Sequence, residues 1–150
     1  AADSLETWLG IDGNVMVGTE PNNFAGTNSE AFTSAFQAAF SEEPNTYSPT
    51  AYDCAMAFVH AMLKAGGDDR AAIQAGMQSF KESNLGTDAT TVGIGADGLT
   101  AAKAVYDAGG SVAFEGASGR VVFDDTGDRL ELGIRTFSPS LQDGTWGWAY

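Results

Sequence analysis

Apolar residues recur every three or four positions through the first two thirds of the chain and every second position near its end, so helices are predicted first and paired strands last. The run from Gly13 to Pro21 is a short apolar strand leaving for a loop, and 22–28 is a linker. Phe32, Phe36 and Phe40 share one face of a predicted helix from Glu30 to about Phe40, capped by Asn28 or Ser29. That stripe reads as core packing.

Ser48-Pro49 opens the next helix: serine accepts from unpaired N–H groups at a helix start, and proline in the first turn loses no hydrogen bond. It runs to about Ala65 before Gly66-Gly67, is apolar nearly all round, and is expected to be covered on most sides. A third helix, Asp69–Glu82, has Ile73, Met77 and Phe80 on one face and Asp68 as its expected cap. After a short strand at Thr91–Gly95, a fourth begins at Asp97 and runs through Ala108, with Leu99, Ala102, Val105 and Tyr106 inward.

The alternation of 119–124 and 130–137 around Asp125–Asp128 predicts a β-hairpin. A turn at 142–145 then leads to Trp146, Trp148 and Tyr150, three aromatics on one face of a last strand. The fold class expected is α/β, with a sheet not obviously complete in 150 residues.

Charge removes several function classes. With 7 Lys+Arg against 20 Asp+Glu, a formal net charge of −13, the chain lacks the cations that neutralise phosphates, so nucleic acid and anionic membrane surfaces drop out as partners. The acidic excess also suits high-salt surroundings. No apolar run approaches the ~20 residues of a spanning helix, and the N-terminus does not read as a signal peptide, so any export signal is expected to have been removed.

One cysteine, Cys54, allows no intramolecular disulfide, and one histidine, His60, excludes two-histidine zinc sites. Cys54 reads as a small buried hydrophobe and His60 as a packed or half-exposed helix residue. Neither a cofactor motif nor a metal set stands out; the acids of 124–128 lack the spacing of a calcium loop and read as a turn.

Five strings in order are more specific: Val15-Met-Val-Gly-Thr-Glu-Pro21, Ala51-Tyr52-Asp53, Ala65-Gly66-Gly67-Asp68, Phe114-Glu-Gly-Ala-Ser-Gly-Arg-Val-Val-Phe-Asp-Asp-Thr-Gly-Asp128 and Asp143-Gly-Thr-Trp146. Together they resemble the C-terminal part of type I periplasmic-binding proteins, nearest to the branched-chain amino-acid (Leu/Ile/Val) receptors of ABC importers. The resemblance implies the C-terminal portion of a two-lobed α/β fold, or a reduced relative, each lobe a mainly parallel sheet flanked by helices. Residues 1–24 would form a lobe-two strand segment, 25–124 a lobe-one segment, and 125–150 strands returning to lobe two. Hinges are then expected near 22–27 and 125–128.

The function implied is capture of a small amino-acid-like solute for delivery to an ABC permease, in the periplasm or outside the cell, with no catalysis and no cofactor. Tyr47, before the second helix, stands where the family places a pocket-lining aromatic; its rival reading is an ordinary packing residue. Ser48 is either a ligand donor or a cap, and Asp12 either meets the ligand's ammonium group or forms a plain turn with Gly13. Three other readings stay open: a ligand-sensing regulatory domain of the same fold, a self-associating fragment that binds nothing alone, and an enzyme using Asp12 with Glu20 or Asp124 with Asp128 as acid and base.

Overall fold

The computed structural model describes residues 17–142 and 145–149. They fall into two compact units, a larger one spanning Asn23–Leu132 and a smaller one made of the residues up to Asn22 and from Gly133 onward.

The larger unit begins with α1 (Ser29–Phe40) and α2 (Ser48–Ala65). Asn28 stands at the start of α1 without capping it; its Nδ2 donates instead to the Glu115 carbonyl at 2.7 Å. On α2, Pro49, Asp53, Met56, Ala57, His60 and Ala61 are buried, a stripe at helical spacing. Cys54 lies off that stripe and is exposed, which corrects the expectation of a buried thiol. Ala51, Ala55 and Phe58 share its exposure, so α2 is covered on one side only in this chain.

The third helix is shorter than its periodicity predicts. α3 (Arg70–Met77) is capped by Asp69, not Asp68: the Asp69 carboxylate accepts from Ala72 N at 2.9 Å. Two 3₁₀ turns follow, Gln78–Phe80 and Glu82–Asn84, separated by Lys81 in an extended conformation. The helix breaks there because Lys81 bridges Phe123: Phe123 N donates to Phe80 O and Glu82 N to Phe123 O, each at 2.9 Å.

Next, β2 (Thr90–Val92), α4 (Gly95–Asp107) and β3 (Val112–Gly116) form a parallel crossover, with Thr90 opposite Val112 and Val92 opposite Phe114. β4 (Gly119–Arg120) turns back antiparallel on β3. One core runs between this sheet and the helices: Met56, Phe80, Val92, Ala102, Tyr106 and Phe114 are buried in it, with Leu99 and Val105 packed at its edge. Burying each large side chain contributes about 1.5–3 kcal/mol.

The expected long hairpin is replaced by a short one. Phe123 pairs with Arg129, and Leu130 N donates to Val122 O at 3.0 Å, but residues 119–120 pair with β3 instead. The cause is the turn between β3 and β4, where Gly119 takes φ +111 and a buried carboxylate gathers the backbone amides.

That carboxylate is Asp53. It accepts from Ala117 N at 2.6 Å, Ser118 N at 2.9 Å and the Ser118 hydroxyl, while Arg129 Nη2 lies 3.9 Å away. Arg129 also donates to Ser118 Oγ at 2.7 Å and to the Gly119 and Arg120 carbonyls at 3.2 and 3.1 Å. A side chain at Gly116 would overlap the Asp53 carboxylate.

In the smaller unit, β1 (Gly18–Pro21), β5 (Ile134–Gln142) and β6 (Thr145–Ala149) form an antiparallel sheet in the order β1-β5-β6. Glu20 is held by Arg135 across the β1–β5 ladder at 2.6 Å. Trp146 and Trp148 stand two apart on β6, opposite Leu141 and Pro139; Tyr150 lies outside the described residues.

His60 is 0% exposed, ringed by Phe80, Tyr106 and Phe114 with ring centroids 4.6–6.1 Å away. Its Nδ1 lies 3.3 Å from the Tyr106 hydroxyl. Burial lowers the His60 pKa to about 4 and pushes Tyr106 up to about 12, so both stay neutral at pH 7. An unfolded chain binds a proton at His60 with its ordinary pKa near 6.5, so protonation favours unfolding as pH falls from about 6.5 to 4. We expect stability to drop across that window by up to ~3 kcal/mol from this residue. In urea titrations at stepped pH, the difference between the parent and His60→Phe should carry that slope; parallel curves would exclude it.

Candidate functional site

The segment before α2 is a tight turn built by Asn45. Its Oδ1 accepts from Tyr47 N at 2.9 Å, its carbonyl from Ser48 N at 3.0 Å, and its own N–H donates to Ser48 Oγ at 3.1 Å. Ser48 is therefore not the helix cap: Tyr47 occupies that position, with no side-chain capping bond, and Ser48 is the first helical residue. The serine oxygen is taken by the preceding turn, leaving its hydroxyl hydrogen to donate. Tyr47, 64% exposed, presents its ring to solvent beside that serine. Asp12 lies outside the described residues.

Between α1 and α2 runs an apolar groove of about 390 Å³. Phe32, Phe36, Phe40, Ser48, Ala51 and Tyr52 line it, with Ser48 and Tyr52 as its hydroxyl-bearing residues. The Tyr52 hydroxyl already accepts from Gly95 N at 2.9 Å. Phe32 is buried against Tyr52, with ring centroids 5.4 Å apart, whereas Phe40 at the far end is 63% exposed. The aromatic stripe of α1 is thus core only at its first member, and the rest walls a cleft of the size and character that takes apolar parts of small molecules. The sequence pattern shows the stripe; what it does not show is that Phe36 stays half-buried and Phe40 exposed.

A second cavity, about 280 Å³, lies on the sheet face away from the helices, where Glu82, Thr87, Thr91, Glu115, Arg120 and Glu131 meet. Arg120 reaches Glu131 at 3.9 Å.

Of the carboxylates weighed for catalysis, Asp124 and Glu20 are engaged in structure. Asp124 accepts from the Thr126 hydroxyl at 2.7 Å and from the N–H groups of Thr126, Gly127 and Asp128 at 2.8–2.9 Å. The Thr126 hydroxyl, then these amides, hold its carboxyl below the usual carboxylate range, the opposite of what a general acid needs. Glu20 is paired to Arg135. No group of three or more metal-binding side chains is found among the described residues.

Set beside known proteins, residues 9–135 match the family model described as the receptor family ligand binding region. The chain belongs to that family, whose members are of the type I periplasmic-binding-protein kind. A crystal structure of the leucine binding protein LivK from Thermotoga maritima is similar, with 17% identity and a TM-score of 0.51, over 90% of this chain. The chain spans 30% of that structure's length. The likeness shows the fold: the described residues are part of a type I periplasmic-binding-protein fold. No curated protein matches the sequence.

Phe40→Ser should leave stability within about 0.5 kcal/mol, because the ring is largely in water, yet lower the fluorescence of an apolar dye bound to the groove. A thermal melt with dye titration checks both; a large loss of stability would mean that Phe40 is core.

Proposed function

We propose that this protein is the solute-capturing part of an exported receptor: it takes a small amino-acid-like solute and presents it to an ABC permease in the membrane. The observation that carries this reading is the ligand-binding family model matching residues 9–135. The fold shared with a protein named for leucine binding supports it, as does the engagement of Asp124 and Glu20 in structural hydrogen bonds and ion pairs.

In this reading the chain corresponds to the C-terminal part of the receptor, the Asn23–Leu132 unit belonging to its first lobe and β1, β5 and β6 to its second. Tyr47 and Ser48 supply a flat aromatic face and one hydroxyl donor, the complement of a short aliphatic side chain and a carboxylate oxygen. Asp12 supplies the charge for the ammonium group. No helix among the described residues is long and apolar enough to cross a membrane, which accords with delivery to a separate permease.

Calorimetric titration of L-leucine, L-isoleucine, L-valine, L-glutamate and L-lysine into the protein as its gene encodes it tests the proposal. Saturable binding of at least one is expected, and Tyr47→Ala should weaken it about tenfold, the worth of ~1.4 kcal/mol of aromatic contact. A folded protein that takes up none of the five at millimolar concentration would overturn it.

A second reading, self-association, is favoured by one feature. In a chain of net charge −13, the exposed residues Phe40, Ala51, Cys54, Ala55 and Phe58 of α1 and α2 carry no charge. Sedimentation equilibrium distinguishes the two, since a concentration-dependent mass that Phe58→Glu abolishes belongs to self-association.

A further inference from the structure

The turn between β3 and β4 touches both stretches through which the chain joins the larger unit. On the incoming side, Gly26 packs on Gly119 so closely that a side chain at Gly26 would overlap the Gly119 backbone N, and Asn28 bonds to the Glu115 carbonyl. On the outgoing side, Arg129 donates to Ser118 Oγ and to the Gly119 and Arg120 carbonyls. The turn itself hangs on Asp53, buried in the first half of α2, through two backbone amides and one hydroxyl.

A buried carboxylate is stable only with its hydrogen bonds complete, so these contacts form and fail together. Neighbouring segments add to the restraint. Asn23 is buried and donates to the Thr46 carbonyl at 2.8 Å, and residues 124–128 are locked by the hydrogen bonds of Asp124.

We infer that Asp53 is a positioning residue: through the Ala117–Gly119 turn it holds Gly26–Asn28 and Arg129–Leu130 rigid at once. Backbone freedom for any reorientation of the smaller unit then lies at the junctions 22/23 and 132/133. There the chain has Asn22 N donating to Gly133 O at 2.8 Å, one exchangeable hydrogen bond beside a glycine. The assignment rests on the solute-capture reading for its purpose, not for its geometry.

Backbone ¹⁵N relaxation on the unliganded protein tests it. In the parent, order parameters at Gly26–Asn28 and Arg129–Leu130 should be near ~0.85, the rigid-backbone value, and higher than those at the two junctions. Ser118→Ala, which removes one hydrogen bond to Asp53 and one from Arg129, should lower both segments together toward ~0.6 while α2, α3 and α4 keep their values. Arg129→Lys should do the same, and Lys103→Ala, which breaks only an exposed pair with Asp107, should do neither.

Loosening confined to 117–119 would overturn the inference, because the turn would then anchor nothing beyond itself. So would a uniform fall across the whole chain, which marks general destabilisation. Asp53→Asn is the severest variant; Ser118→Ala and Arg129→Lys decide the question if it does not fold. No solute enters this measurement, so its failure leaves solute capture standing, and a failure to bind solutes leaves the anchor standing.

Discussion

The larger unit depends on one buried charge. Among the described acidic residues Asp53 is the buried one, and taking it out of water costs several kcal/mol unless every lone pair finds a donor. The donors it finds are backbone amides of a two-residue turn, which must bring its N–H groups inward. That demand is passed on to the neighbours: glycine at 116, where a side chain would overlap the carboxylate, and glycine at 119, where φ is +111. Ser118 and Arg129 then close the cluster. The string Glu115-Gly-Ala-Ser-Gly-Arg120 is best understood as the mould of one carboxylate.

The rest of the core follows the opposite rule, keeping charge out. His60 stays neutral among three rings, and Tyr106 keeps its proton next to it. The acidic excess is pushed to the surface but not evenly: the outer face of α1 and α2 has aromatic and small residues where the remaining surface has carboxylates. A chain that repels its copies everywhere else is free to meet a partner or a ligand there. The groove lined by Phe36, Phe40, Ser48 and Ala51 lies on that face.

Helices were legible because their signal is local. The stripe on α2, the glycine stop at Gly66 and the inward face of α4 all follow from spacing. Local spacing gives way where a partner distant in sequence decides the outcome. Lys81 leaves the helical pattern to bridge Phe123, and residues 119–120 leave the expected hairpin for β3. Caps slipped by one residue, at Asp69 and at Tyr47–Ser48, because adjacent polar residues offer nearly equivalent hydrogen bonds. Asp53 stands in the Ala51-Tyr52-Asp53 string, which does not by itself reveal its role. Its signal was available: it occupies the buried stripe with Pro49, Met56, Ala57 and His60, and a charge at such a position requires a cluster of donors elsewhere in the chain.

The two aspartate settings, Asp53 and Asp124, show why the site was harder to read than the fold. In sequence Asp53 sits in an alanine-rich helix and Asp124 in a turn before Thr126 and Gly127. In the structure both are acceptors for backbone amides, one buried to hold a turn against a helix and the other exposed to close a turn on itself. For Asp124 those donors stabilise the anion, which removes it as a proton donor. The groove between α1 and α2 offers groups of another kind: aromatic rings and the Ser48 hydroxyl. Such groups suit contact with the apolar part of a small molecule, by shape and single hydrogen bonds.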